Sequence, residues 1–298
     1  MAIDESGPTQ RPDPELEIGV DWLTPGPFSE SEKRRIVAWY SVYHGDGDLE
    51  LAPFVPFWLE HGPNAFRGFK RFVESYPSLP GGLSLAALQV ILMHNYACVG
   101  YAEGMLYELI GAKEAGAAKA EILEALEFAW VYSGPPGATP TAQSAGPYLA
   151  RWTDDGASGP SSIWPDAWSF DSDLMDAGLD FTARGMTGSE IDSLFDWYRE
   201  YYGEVPAVIR RLAHSSPESL KALRQRYEGA HRGALPTQAF PMMSLVRALY
   251  RRDVGRVRTA VHHARRLGVD HTHISALGTI LLAYHGDSLD GDIAELVW

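Results

Sequence analysis

The sequence predicts an all-α protein made of two tandem helical repeats, roughly six helices in each. Three observations carry that prediction. Apolar residues recur at helical spacing along most of the chain, with capping residues ahead of the runs and glycines behind them. Alternating strand patterns are scarce. The second half also repeats, in order, the features of the first.

In chain order, "SESEKRRIVAWY" starts a helix at a capping box of Ser29 and Glu32 and reaches Trp39 and Tyr40. "PFVPFWLEHGP" runs from Pro53 to His61 and a Pro-started helix follows it. "LSLAALQVILMHNYACV" has Ser84 as its cap candidate, and "AEILEALEFAWVYSG" ends at Gly134. The second half answers with "TGSEIDSLFDWY", where Thr187 and Glu190 precede Trp197 and Tyr198. "PAVIRRLAHSSP" follows with Pro206 and His214, then "SPESLKALRQRY" with Ser216 as N-cap and Pro217 at the first helical position. "LGVDHTHISALGTILLAYHG" closes the set.

The displacement between the copies drifts only slightly. It is 159 for Gly19/Gly178 and Asp21/Asp180, 158 for the capping boxes and Trp-Tyr pairs, and 153 for His61/His214. It is 152 for Gly116/Gly268, Ile122/Ile274, Tyr132/Tyr284 and Gly134/Gly286. The expected organisation is a disordered tail over 1–17, a first repeat over 18–148, a connector over 149–177 and a second repeat over 178–298. The connector holds Trp152, Trp164 and Trp168, which a free linker rarely needs, and is read as a packed strap.

Composition narrows the function classes. The 298 residues, 45% of them hydrophobic, suffice for a large core, and one cysteine excludes an internal disulfide, a Cys-x-x-Cys pair and a cysteine-only metal site. No signal or transit peptide and no membrane-length apolar run is legible, so a cytoplasmic location is expected. A net charge of −14 disfavours nucleic acid and anionic membranes as partners. Charge is nevertheless segregated: between Val205 and Val269, 13 Lys/Arg face only Glu218, Glu228 and Asp253.

The segment "GMLYELIGAKEAGAAKAEILEALEFAWVYSG" resembles the hallmark stretch of the carboxymuconolactone decarboxylase and alkylhydroperoxidase D-like superfamily. That resemblance implies a duplicated helical fold, assembly into a homo-oligomer such as a trimer or dimer, and either thiol redox or cofactor-free proton chemistry. The positions that would carry the redox set fall on Gln89, Tyr101, Gly104 and Glu108 in the first copy, and on Pro241, Asp253, Arg256 and Ala260 in the second. None has redox chemistry, and Cys98 lacks a resolving thiol. A thiol peroxidase is therefore excluded, Cys98 is read as a small buried hydrophobe, and the decarboxylase branch remains.

The expected catalytic residues are Glu108, Glu103, His94 and Tyr101, which concentrate titratable chemistry on an apolar stretch where a desolvated carboxylate can act as acid or base. Arg256, Gln89 and Trp130 are the expected substrate-binding residues, with Arg256 able to hold a carboxylate. Arg247, Arg251, Arg258 and Arg265 form one stripe if their helix is unbroken. His262, His263, His271 and His273 cluster without ligand-spaced carboxylates beyond Asp270, so no metal site is assigned. The expected function is a cofactor-independent decarboxylase, lyase or isomerase acting on a small carboxylated or aromatic-derived metabolite, with the site in the first repeat. The alternatives are an oxygenase or redox enzyme with heme or a metal ion on a pocket histidine such as His94, and a non-catalytic oligomeric binding protein.

Overall fold

The computed structural model describes residues 19–43, 54–153, 163–286 and 291–298, with the side chains of 41–43 left out; the expected tail over 1–17 lies outside these. Among the described residues the chain is all helical. Six helices precede the connector: α1 (Glu30–Tyr43), α2 (Phe54–His61), α3 (Pro63–Ser75), α4 (Leu85–Val99), α5 (Ala102–Glu114) and α6 (Lys119–Arg151). Seven follow it: α7 (Gly188–Tyr202), α8 (Ala207–Ser215), α9 (Pro217–Gly229), α10 (Ala239–Tyr250), α11 (Val254–Arg266), α12 (His271–His285) and α13 (Gly291–Val297).

Local chemistry sets most of the boundaries. Ser84 caps α4 by accepting the Ala87 N–H at 3.1 Å. Reciprocal capping boxes start α1 at Ser29 and Glu32 and α7 at Thr187 and Glu190. Gly100, at φ 75°, ends α4 and lets the chain reverse into α5. At the matching turn between α10 and α11 the positive φ falls on Arg252, at 53°. That turn divides the expected arginine stripe: Arg247 is buried on α10, Arg251 is the exposed cap, and Arg258 and Arg265 are exposed on a separate helix. Gly134 ends the first helical segment of α6, where the sequence places a helix end. Its backbone, at φ 61° and ψ −163°, interrupts the helix, and a second segment starts on Pro135 and Pro136, where missing N–H donors cost little.

The core centres on α4, whose residues from Ala86 to Cys98 are buried except for Tyr96. α5, α6 and α10 pack around it, and α11 and α12 pack on α10 in the same way. Residue limits match as well: α5 at Ala102–Glu114 and α11 at Val254–Arg266 are displaced by 152 at both ends.

The halves exchange contacts reciprocally. α6 packs on α9 and α12 packs on α3. Phe128 of α6 meets Tyr227 of α9 edge to face at 5.9 Å, and Tyr284 of α12 meets Phe69 of α3 in the same way, also at 5.9 Å. The Trp-Tyr pairs each carry a buried cation: Lys70 lies over Trp39 and Tyr40 at 4.7 and 4.4 Å, and Arg224 over Trp197 and Tyr198 at 3.9 and 5.7 Å. Arg67 donates to the Asp21 carbonyl, as Lys221 does to that of Asp180.

The described part of the connector ties both halves. Trp164 donates its indole N–H to Glu121 at 2.6 Å and stacks on Trp168, which meets His273 edge on. Ser84 donates to the Ile163 carbonyl, and the Ser169 N–H donates to Gln238. Trp164 and Trp168 are both buried, and Ile163 is the first described residue of this stretch.

A single carboxylate pins the loop before α10. Glu124 of α6, fully buried, accepts the backbone N–H groups of Arg232, Ala234 and Leu235 at 2.9, 2.7 and 3.2 Å. Replacing it with alanine strands three donors in the interior, so Glu124→Ala is expected to lower the unfolding free energy by about 3 kcal/mol in urea denaturation, and Glu124→Gln by less. An unchanged Glu124→Ala midpoint would contradict this role.

Candidate functional site

Glu108 sits on the side of α5 that faces α4. Gly104 and Gly111 share that face at helical spacing, and both are needed there. A Cβ on Gly104 would lie 2.1 Å from the Tyr101 ring, and one on Gly111 would lie 2.2 Å from the Gln89 amide. The structure thus lines up Tyr101, Glu108 and Gln89 along one seam. Tyr101 belongs to the N-cap of α5 and not to a helix continuous with α4.

The surroundings of Glu108 are poor in donors. It is 8% exposed, and among the described residues its carboxyl receives no hydrogen bond. Burial therefore pushes its pKa up to about 8, against a smaller downward pull from the Lys70 ammonium. Lys70, itself buried, is held over the rings of Trp39 and Tyr40, and the neighbouring Tyr107 packs into the N-terminal cluster of α1–α3. Glu108 stands at the junction of two cores. Tyr96 meets Tyr101 edge on at 5.3 Å, and the phenols of both are pushed upward, first by burial and then by carboxylates that include Glu108. Tyr101 and Glu103 are exposed, so this group reaches the surface on one side. Glu103 occupies the first turn of α5, where its charge suits the helix dipole.

His94 lies in a different group. It is fully buried, stacks on Phe128 at 5.3 Å and places Nε2 3.6 Å from the Cys98 sulfur. Burial, with a smaller effect from Arg247, lowers its pKa to about 3, so it is neutral under ordinary conditions. None of its contacts is with Glu108, Glu103 or Tyr101. Cys98 is a free buried thiol, pushed up to about 11 by burial, which leaves little reactive thiolate.

The expected substrate-binding residues separate. Gln89 is buried against Gly111. Arg256 is exposed in the first turn of α11, paired with Asp253 at 3.3 Å. Trp130 is 48% exposed with Arg226 over its ring, and lines a surface cleft of about 340 Å³ with Leu126, Ala138 and the ion-paired Glu127 and Arg232. The four histidines also diverge. His262 approaches the Glu200 carbonyl, His271 that of Trp298 and His273 that of Gly81, while His263 is buried beside Trp197 and Tyr202. Among the described residues no group of three His, Cys, Asp or Glu side chains is placed to hold a metal ion. No helix among them is long and apolar enough to cross a membrane.

Two features of these sites escape a reading by pattern. Lys70 comes from α3, far from Glu108 in sequence, and reads as one charge on an amphipathic helix. Arg247 is part of an arginine-rich run but is only 5% exposed. The turn at Arg252 separates it from that run, and the sequence signal for the break is Asp253, which caps α11 through the Arg256 N–H at 3.1 Å. No protein-family model, curated protein or solved structure matches the chain.

The raised pKa has a signed consequence. Between the ordinary carboxylate range and about pH 8 the folded protein keeps a proton on Glu108 that the unfolded chain has lost, so stability falls as pH rises through that window. Glu108→Gln removes the fall. Its unfolding free energy relative to wild type is expected to improve from pH 5 to pH 8 by an amount on the order of 4 kcal/mol. Parallel pH profiles of the two proteins would contradict a buried, protonated Glu108.

Proposed function

We propose that the protein is a cofactor-independent acid/base enzyme, a decarboxylase or a related lyase or isomerase, acting on a small carboxylated or aromatic-derived metabolite, with Glu108 as its proton donor. The observation that carries this reading is the Glu108 carboxyl itself: buried, without a hydrogen-bond donor among the described residues, beside two phenols, with burial pushing its pKa up to about 8. A neutral carboxylic acid at pH 7 is a competent general acid, and structural carboxylates are ordinarily ionised and bonded. The sequence resemblance to the carboxymuconolactone decarboxylase branch supplies the reaction class.

In the decarboxylation form of the reaction, the bond between the substrate carboxylate and its α-carbon breaks and carbon dioxide leaves. The bonding electrons pass into an adjacent carbonyl as an enolate. The Glu108 proton ends on the carbon, and water restores it to Glu108. The hydroxyls of Tyr101 and Tyr96 supply donors for the enolate oxygen, and Tyr101 stands at the exposed edge where substrate arrives. The same reading takes the chain as two tandem repeats with the site in the first. The constant displacement of α5 and α11 and the reciprocal packing of α6 on α9 and α12 on α3 support that organisation. It also takes the protein to be cytoplasmic and homo-oligomeric.

The test is a panel of enolisable β-keto and unsaturated lactone carboxylic acids incubated in deuterated water and followed by NMR. Wild type is expected to release carbon dioxide from, or exchange the α-hydrogen of, at least one class. Glu108→Gln should slow that reaction by about 10²- to 10⁴-fold with the fold retained. No turnover of any member by wild type, or equal rates in the variant, would overturn the reading.

A further inference from the structure

We propose that the interior face shared by α4, α6 and α10 is a binding site for a small carboxylate, with Arg247 holding its charge. The site is separate from Glu108 and does not depend on the function proposed for that residue.

The starting point is a buried cation without a counter-charge. Arg247 is 5% exposed, and its Nε and Nη1 are fully buried with no hydrogen-bond partner. Its Nη2 makes a long bond, 3.4 Å, to the Tyr132 carbonyl, the guanidinium also bonds the Cys98 thiol, and it lies 5.4 Å from the centre of the Tyr132 ring. No carboxylate pairs with it among the described residues. Two of the other buried cations have a carboxylate: Lys221 pairs with Glu190 at 2.8 Å and Arg224 with Glu228 at 2.5 Å. A guanidinium does not shed its proton to escape burial, so an unpaired one in the interior is strongly unfavourable unless an anion joins it.

A second orphan sits in the same place. His94 Nδ1 is fully buried without a partner, while Nε2 is taken up by the Cys98 sulfur at 3.6 Å. Arg247 is close enough to act electrostatically on both His94 and Cys98. Tyr132, which stands edge on to His94 at 6.1 Å, bonds Ser244 of α10 through its hydroxyl at 2.8 Å. Three helices therefore contribute polar groups to one apolar interior, and among the described residues the full charge buried there is the positive charge of Arg247, with the exposed Arg251 also acting on Cys98. A monoanion neutralises it, whereas a doubly charged phosphate would leave excess negative charge in a dry site. Two open guanidinium nitrogens and an imidazole nitrogen suit the several acceptor lone pairs of a carboxylate better than a spherical halide.

The experiment uses the full chain, freed of organic anions, titrated with sodium acetate at constant ionic strength by calorimetry, with sodium chloride titrated in parallel. Expected is saturable binding of one acetate per chain that raises the melting temperature. Arg247→Gln should weaken it by at least about tenfold, while Arg258→Gln on the exposed face of α11 and Glu108→Gln leave it unchanged. Should Arg247→Gln fail to fold, Arg247→Lys replaces it, and saturation transfer from Phe128 and Tyr132 ring protons to acetate in wild type locates the ligand independently. Absence of saturable acetate binding to wild type, chloride binding as strongly as acetate, or undiminished binding in a folded Arg247 variant would each overturn the proposal.

Discussion

Burial of α4 on every side is the constraint on which the rest of the structure depends. A helix surrounded by protein has no solvated face, so each polar side chain it carries must find its partner inside or remain unsatisfied. Gln89, His94 and Asn95 are all buried on it, and each opens onto a different neighbour: Gln89 onto Gly111 of α5, His94 onto Phe128 of α6, and Asn95 onto His285 of α12 at 3.4 Å. Glu108 and Arg247, the buried acid and the buried cation on which the site readings rest, both border this helix.

The reciprocal exchange between halves explains how such burial is achieved. Because α6 lies on α9 and α12 lies on α3, each half closes over the other and α4 meets α10 in the middle. The corresponding helices of the two halves carry different chemistry at corresponding positions. Where α5 has Glu108, the matching position of α11 is Ala260, and where α10 has Arg247, the matching position of α4 is Asn95. Glu108 thus lies in the first half and Arg247 in the second.

Much of the frame was legible because helix ends follow local rules. The capping boxes at Ser29 and Thr187, the cap at Ser84 and proline at the start of α9 all depend on a few adjacent residues. The helix end at Gly134 was legible too, whereas the second segment of α6 that starts on Pro135 and Pro136 was not. For the site, the family resemblance pointed to Gln89, Tyr101 and Glu108, and the spacing of Glu108 from Gly104 put those two on one helix face. The separation of His94 from them could not be anticipated, because both groups lie on or beside one apolar helix and only the third dimension assigns them to different sides. Arg256 and Arg247 show the same limit. Adjacent in an arginine-rich run, one is solvated beside Asp253 and the other is buried, and the turn at Arg252 decides which.

The central claim is that burial, with no hydrogen-bond donor to its carboxyl among the described residues, favours the neutral form of Glu108 and raises its pKa to about 8. Infrared difference spectroscopy of protein carrying carbon-13 in its glutamate carboxyls reads this directly. The account predicts a protonated-carboxyl stretch in wild type at neutral pH that titrates away near pH 8 and is missing from Glu108→Gln. Wild-type glutamates that are all ionised by about pH 6 would contradict it.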